Sequence, residues 1–135
     1  MVDRRGTPLG LVLSAANVHD SKMLEATRDA VPQVRNGRVG RPRRRPYKVH
    51  ADKGYDFKRC RDAIRRRSGV PRIARRGIES SERLGRHRWV VEATFAWLNQ
   101  YRRLRVRYER RADVHLALVT LGCAMICLKQ LRREF

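Results

Sequence analysis

Apolar and polar residues along this chain fall into two repeating patterns, one with the period of a helix and one with the length of a strand. Helical spacing occurs at Ser21–Val31, Phe57–Arg67, Arg86–Leu104 and Val114–Arg133, and strand-like runs occur at Pro8–Ala15, Tyr47–Ala51 and Val70–Ala74. Because helices and strands alternate, the order predicts a single α/β domain with a partly parallel sheet. The last two helices are the longest, so we expect long C-terminal helices to flank the sheet.

The first residues predict the turn of a β-hairpin at Asp3–Gly6, followed by the strand Pro8–Ala15. The strand that should precede the turn is reduced to Val2. A sheet cannot leave an inner strand unpaired without exposing its backbone groups. We therefore expect the sheet to be mixed and to lack one or more N-terminal strands.

The helix predicted at Arg86–Leu104 is apolar over most of its circumference, which is typical of a helix buried in a core. Arg88, Glu92, Asn99 and Arg103 nevertheless fall within roughly 60° of one another and form one polar stripe. A buried carboxylate needs a partner, a proton or a cation. Glu92 is therefore either half of a structural ion pair with Arg88 or a catalytic carboxylate, and the second role requires a further carboxylate elsewhere.

Asp52 is a candidate for that further carboxylate. It follows the predicted strand Tyr47–Ala51 directly, at the carboxyl edge of a sheet, where α/β proteins bind their ligands. Asp56 is predicted to cap the next helix, as Asp20 is predicted to cap the first one, and this leaves Asp52 free to point into a site.

The charge of the chain indicates a polyanionic partner, of which nucleic acid is the usual one. The sequence has 33 Lys and Arg residues against 13 Asp and Glu, a formal net charge of +20. Arg predominates over Lys, which suits bidentate phosphate contacts. Residues 33–46 contain Gly, Pro and Arg with little that could be buried, so they predict an exposed basic loop.

Neither a disulfide framework nor a zinc site is indicated by the cysteines Cys60, Cys123 and Cys127, which are few and form no Cys-x-x-Cys pair. The chain opens without an apolar signal segment. The apolar run Val114–Leu128 is shorter than the roughly 20 residues of a membrane span, so it predicts a core helix. These features together favour the cytoplasm.

Several motifs in register resemble the C-terminal half of bacterial insertion-sequence DDE transposases of the insertion-sequence-five type. They are Asp3–Leu9 (DRRGTPL), Ala16–Asp20 (ANVHD), Ala51–Asp56 (ADKGYD), Ile73–Gly77 (IARRG), Leu84–Glu92 (LGRHRWVVE), Phe95–Leu98 (FAWL) and Arg102–Glu109 (RRLRVRYE). The likeness covers essentially the whole chain.

That resemblance implies a ribonuclease-H-like fold in which two aspartates and a glutamate hold two magnesium ions for DNA cleavage and strand transfer. Asp52 matches the second aspartate, Glu92 matches the glutamate, and Arg88 matches the arginine of the Tyr-x2-Arg-x3-Glu-x6-Lys pattern. Gly85 and Asn99 stand in place of that pattern's tyrosine and lysine. The expected nucleic-acid-binding residues are Arg43, Arg44, Arg75, Arg76, Arg86, Arg88, Arg102 and Arg103.

The family's first aspartate has no counterpart, because it precedes the segment that matches residues 1–20, and Asp3 in the hairpin turn is a poor substitute. The family's N-terminal domain, which recognises DNA ends, is absent as well. We therefore expect a truncated catalytic domain, with an incomplete two-magnesium site, that is inactive alone and pairs with an upstream-frame product or full-length transposase. Two alternatives stay open: a non-enzymatic basic DNA-binding protein, in which Asp52 and Glu92 only offset Arg charge, and a regulatory remnant that binds element ends or transposase.

Overall fold

The computed structural model describes the chain apart from residues 34–36, 38, 41, 43–45, 79, 80 and 135, and apart from the side chains of residues 81–88, 133 and 134. Its helices are α1 (Leu24–Asp29), α2 (Lys58–Arg65), α3 (Ser81–Leu98), α4 (Arg102–Arg105) and α5 (Ala112–Glu134), and its strands are β1 (Lys48–Ala51) and β2 (Val70–Ile73). Short 3-10 turns lie at Asp20–Met23 and Lys53–Tyr55.

The two strands form a parallel pair, as the predicted partly parallel sheet requires, while the wider mixed sheet stays a prediction. Lys48 is paired with Val70 and Ala51 with Ile73. Parallel strands cannot be joined by a tight turn and need a crossover, which α2 provides here. The carboxyl ends of both strands therefore meet at one edge, where Asp52 begins the next segment.

A small core holds the sheet against α1 and α2, and we term residues 20–31 and 47–76 the sheet unit. Leu24, Val49, Cys60, Ile64 and Ile73 form this core, and Cys60 and Ile64 are almost completely buried. Cys60 and Ile64 lie one helical turn apart, so the apolar stripe predicted for α2 faces the sheet.

A second core lies between the C-terminal helices, and we term residues 81–134 the helical unit. It contains Leu98 of α3 with Val119 and Ile126 of α5. Gly122 allows close approach at this point, because a Cβ atom there would lie 3.0 Å from Leu98 Cδ2 and 2.8 Å from Leu104 Cδ1.

The N-terminal segment, residues 1–11, contacts both units. The Thr94 hydroxyl of α3 donates a hydrogen bond to the Gly6 carbonyl at 2.8 Å, and the Thr7 hydroxyl donates to Gln130 Oε1 at 2.5 Å. Met1 packs against the core of the sheet unit, whereas Leu11 packs against that of the helical unit. This segment therefore ties two separate cores together.

The predicted hairpin turn at Asp3–Gly6 is confirmed, but the strand Pro8–Ala15 is wrong. Asp3 N–H donates to the Thr7 carbonyl at 3.0 Å, and the antiparallel pairing is limited to one bridge between Val2 and Pro8. A strand exists only where a neighbour completes its hydrogen bonds, and among the described residues Pro8–Ala15 has one bridge and no neighbouring strand.

Both predicted capping roles of aspartates are wrong. His19, not Asp20, caps the first turn, since its Nδ1 accepts the Ser21 N–H at 3.2 Å. The N-cap position of α2 is Phe57, while Asp56 binds other groups instead. A short polar residue next to a helix start can cap it or reach a distant partner, and spacing alone does not distinguish the two.

The helix predicted at residues 86–104 differs from α3 in its ends and in its burial. It begins at Ser81 and stops at Leu98, and Arg102–Arg105 forms a separate turn. Burial over most of its circumference is wrong as well, because Trp89 and Phe95 are more than half exposed. Among the described side chains of α3, only the face carrying Val90, Thr94 and Leu98 is buried, where α5 and the N-terminal segment cover it.

The described side chains of the last helix are likewise buried on one face only. Leu121, Met125 and Leu128 of α5 are exposed on the side opposite Val119 and Ile126, so the prediction of a core helix holds for half its surface. The prediction that this helix is too short to span a membrane is wrong, because Ala112–Arg132 is long enough and apolar enough when length and composition alone are considered. One such helix is weak support for a membrane span.

Candidate functional site

Asp52 lies at the carboxyl end of β1 with its side chain exposed, as the sequence predicts. Its Oδ1 accepts the Gly54 N–H at 3.1 Å, so the carboxylate also caps the 3-10 turn Lys53–Tyr55. That hydrogen bond fixes the carboxylate at the edge of the sheet. An exposed, oriented carboxylate of this kind can bind a hard cation.

Asp20 lies in the same neighbourhood, which the sequence reading missed. Burial raises the pKa of the half-buried Tyr55 hydroxyl, and the negative charges of Asp20 and Asp52 raise it further, with a smaller contribution from Cys60. The turn that carries Asp20 packs against the turn that follows Asp52. Two aspartates that are far apart in sequence therefore both raise the pKa of the Tyr55 hydroxyl.

Asp56 joins the two loops that follow β1 and β2. The backbone N–H of Arg76 donates to Asp56 Oδ2 at 2.9 Å, and Arg61 Nη2 lies 2.5 Å from Oδ1. These contacts lower the pKa of Asp56, the Arg76 hydrogen bond most and the Arg61 hydrogen bond next. Arg76 Nε also donates to the Lys53 carbonyl at 3.1 Å, so the two loops are held at a fixed separation.

Two guanidinium groups lie over one aromatic ring beside this edge. The Cζ atoms of Arg59 and Arg76 are 4.5 Å and 5.2 Å from the Phe57 ring centroid. The His19 ring meets Phe57 edge-on at 5.7 Å. Arg76 was expected from the sequence to bind nucleic acid, whereas Arg59 was missed because nothing in its local spacing distinguishes it from the other arginines of α2.

Glu92 lies on α3 with its side chain exposed. At 100° per residue it is roughly 160° around the helix axis from the buried Thr94, so it faces away from the core of its own unit. The side chains of Arg86 and Arg88 are outside the described part of the chain, which leaves the Arg88–Glu92 pair untested. The predicted continuous stripe is wrong, because Asn99 follows the end of α3 and Arg103 belongs to α4.

The other expected nucleic-acid-binding arginines divide between the units. Arg75 and Arg76 are exposed next to the edge that carries Asp52, and Arg102 and Arg103 are exposed on α4. Arg103 Nη1 also lies 3.7 Å from Glu109 Oε1. The expected residues Arg43 and Arg44 lie outside the described residues; their neighbours Gly37, Val39 and Gly40 are exposed, as a surface loop requires.

The carboxylates suit magnesium by type but not by number. Asp52 belongs to the sheet unit and Glu92 to the helical unit, and among the described residues no group of three or more His, Cys, Asp or Glu side chains is placed to hold a metal ion. Magnesium sites of nucleic-acid enzymes use several oxygen ligands in near-octahedral geometry. The described side chains alone therefore do not make a complete site.

Comparison with known proteins identifies the class. The family model described as "Transposase DDE domain" matches residues 1–128, so the chain belongs to that family of transposases. It is 50% identical over 133 residues to the "Putative transposase for insertion sequence element IS402" of Burkholderia cepacia. The match covers 98% of this chain and 63% of that relative. No solved structure matches the chain.

Proposed function

We propose that this chain is the C-terminal part of the catalytic domain of an insertion-sequence transposase, with a partial ribonuclease-H-like fold and the insertion-sequence-five type of motif arrangement. Its activity within a complete domain is magnesium-dependent cleavage and strand transfer of DNA. The observation that carries the proposal is an exposed Asp52 at the carboxyl end of a parallel strand in a chain that matches the DDE family over residues 1–128.

Asp52 and Glu92 are the proposed catalytic and metal-binding carboxylates. Both are exposed, and Glu92 faces away from the core of its own unit, so each is accessible to groups outside this chain. The described residues contain no group of three suitable ligands, so we expect a further aspartate to be supplied by another polypeptide segment. Without it the chain lacks part of the charge and geometry that magnesium requires, and we expect the chain alone to be inactive.

DNA is the proposed partner, both as element ends and as target. The net charge of +20 supports a polyanion in general, and the exposed Arg75, Arg76, Arg102 and Arg103 offer guanidinium groups on both units. Its proposed location is the cytoplasm, because bacterial DNA lies there. The upstream-frame product or a full-length transposase is the proposed protein partner, since either could provide the absent aspartate.

A complementation assay tests this proposal. The chain is mixed with the part of the Burkholderia cepacia relative that it does not match, and the mixture is incubated with magnesium and DNA that carries the element's terminal repeats. We expect cleavage by the mixture and none by the chain alone. Asp52→Asn or Glu92→Gln should lower the rate at least about a hundredfold, because even the residues that only orient metal ligands are worth about 10–100-fold.

Asp62→Asn is the matched control, because Asp62 is a carboxylate of α2 that pairs with Lys58 and Arg65 on the surface. This variant should cleave like the parent. Cleavage by the chain alone, abolished by Glu92→Gln, would refute the expected inactivity. Full activity of the Asp52→Asn mixture would refute the assigned site.

A non-catalytic DNA-binding or regulatory remnant is the second candidate function. The observation that favours it is the lack of a complete ligand group among the described residues of a strongly basic chain. Such a remnant binds terminal-repeat DNA, or a full-length transposase, and slows transposition when added to the active enzyme. Inhibition that persists in the Asp52→Asn, Glu92→Gln double variant, with no complementation by the unmodified chain, would favour this candidate.

A further inference from the structure

We propose that Phe57, Arg59 and Arg76 form a binding site for adjacent phosphodiester groups of a DNA strand that passes beside Asp52. The three residues are termed the arginine–phenylalanine stack. The inference rests on the proposed function to the extent that DNA is the polyanion, and it specifies where on the sheet unit the strand lies.

Arg59 is held in place before any ligand arrives. Its guanidinium lies 4.5 Å from the Phe57 ring centroid, and Nη2 donates to the Ser21 hydroxyl at 2.6 Å. Ser21 is itself buried, and its hydroxyl also lies 2.8 Å from His19 Nδ1. A guanidinium fixed by an aromatic face and by a buried hydroxyl loses little further freedom on binding an anion.

Arg76 is fixed by a different set of contacts. Its guanidinium lies 5.2 Å from the same ring centroid, Nε donates to the Lys53 carbonyl, and the backbone N–H is bound to Asp56. The Asp56 carboxylate is also engaged by Arg61, so its charge is shared with a second guanidinium. Both arginines of the stack thus present an ordered positive group at the edge that carries Asp52.

The arginines at the C-terminal end of α2 differ from Arg59 and Arg76, because they pair with carboxylates. Arg66 Nη2 lies 3.1 Å from Glu25 Oε1, and Arg67 Nη2 donates to Asp29 Oδ2 at 2.9 Å. Within the described part of the chain, by comparison, neither Arg59 nor the Arg76 side chain forms a salt bridge, although the charges of Arg76 and Asp56 attract each other. Arginines of one short region are therefore neutralised on one side and left charged beside the candidate carboxylate.

Phosphodiester groups are the anions that fit this arrangement. A planar guanidinium binds two phosphate oxygens at once, and two guanidiniums around one ring offer this geometry at neighbouring positions. A strand bound here lies next to Asp52, which the proposed function requires of scissile or target DNA. The stack thus positions the DNA backbone, and we assign it no role in the chemical step.

A salt titration of DNA binding tests the inference. The probe is a fluorescently labelled duplex that carries the element's terminal repeat, and its anisotropy is followed with the full chain from low to high salt. The double variant Arg59→Gln, Arg76→Gln should bind at least about tenfold more weakly at physiological salt. Its plot of log affinity against log salt should be shallower by about 2, since each lost phosphate contact removes about 0.9.

The matched control is Arg66→Gln, Arg67→Gln, which removes the same charge from the neutralised end of α2. It should weaken binding less than about threefold, with the salt slope nearly unchanged. Phe57→Leu keeps both charges and removes the aromatic face, so it should weaken binding by a few-fold without changing the slope. Thermal unfolding followed by circular dichroism verifies that each variant is folded.

The double variant Arg59→Lys, Arg76→Lys tests the same site if the Gln double variant does not fold. It retains the charges and should keep the salt slope while losing affinity, because lysine makes neither the bidentate contact nor the same stack. Equal losses for the Gln double variant and its control would overturn the inference and leave DNA binding intact. A parent chain that does not bind DNA would overturn the inference together with the proposed DNA partner.

Discussion

The sheet unit and the helical unit use their apolar residues differently. In the sheet unit, Ile64 and Cys60 are 1% and 2% exposed, and, apart from Met1, the residues that form and cover this core lie within residues 20–76. In the helical unit, Phe95 and Leu121 are both 60% exposed although they lie on the two longest helices. The sheet unit therefore satisfies its core locally, whereas α3 and α5 carry more apolar surface than this chain covers.

Charged contacts show the same difference. In the sheet unit, Arg66–Glu25 and Arg67–Asp29 join the end of α2 to α1, whereas the Asp62 pairs lie within α2. Among the described residues of the helical unit, the shortest salt bridge, Arg111–Asp113, links positions two apart in sequence. Tertiary organisation is therefore stronger in the sheet unit.

The largest predicted effect is the loss of a core side chain from the sheet unit. Ile64→Ala should lower the free energy of unfolding by about 3–4 kcal/mol, because truncation of a fully buried Ile leaves a cavity. Leu121→Ala, its counterpart on the open face of α5, should cost less than about 0.5 kcal/mol. Urea unfolding followed by circular dichroism measures both. Equal losses would mean that the open face of α5 is covered in solution.

An intermediate effect is expected where the two long helices meet. Gly122→Leu should destabilise the chain by about 1–3 kcal/mol, because its side chain would overlap Leu98 and Leu104. Ala124→Leu adds bulk to an exposed position of the same helix and should be nearly neutral. Thermal unfolding compares the two variants. A stable Gly122→Leu variant would show that α3 and α5 do not pack closely in solution.

The smallest effect concerns acid stability. The pKa of Asp56 is lowered by the Arg76 backbone N–H and by Arg61, so its contribution to stability is present above the unfolded-state value of about 3.9. That contribution is lost as the pH falls through the lower folded-state pKa. Asp56→Asn should therefore unfold at lower urea concentration at pH 7 and should show a smaller further loss on acidification.

Asp113→Asn is the comparison for that acid transition. The pKa of Asp113 is also lowered, chiefly by the Arg111 side chain, so its contribution to stability is likewise lost as the pH falls. Arg111 is only two residues away, so much of the contact can persist in the unfolded chain. We expect a smaller change than for Asp56→Asn in urea midpoints measured from pH 7 to pH 3. A larger change for Asp113→Asn would contradict the stronger tertiary organisation of the sheet unit.

Sequence patterns predicted the sheet unit well because its elements cover one another within a short stretch. The runs around Val49, Ile64 and Ile73 have their packing partners close by in sequence. The apolar positions that the helix and strand periods predict are therefore the ones that are buried. Residues 8–15 have strand-like composition but no neighbour to complete a ladder. The helix predicted from Arg86 begins five residues earlier, at Ser81.

The candidate site was predictable only in part, for a related reason. Asp52 follows a strand directly, so its place at the sheet edge could be inferred from local order. Arg59 acquires its role from Ser21 and from its shared ring with Arg76, both distant in sequence. Glu92 was predicted on a polar stripe of a buried helix, and its exposure depends on how little of α3 this chain covers.

Each unit contains a natural thiol that can report on its own motions. Cys60 is buried in the sheet unit, where its thiol lies 3.5 Å from the Ser21 carbonyl, and Cys123 is half-buried in the helical unit. A disulfide reagent can reach Cys60 only when the sheet unit opens, so its rate of reaction measures that opening without any added label. With Cys127 replaced by serine, the opening rates of the sheet unit and the helical unit can thus be measured separately in one sample.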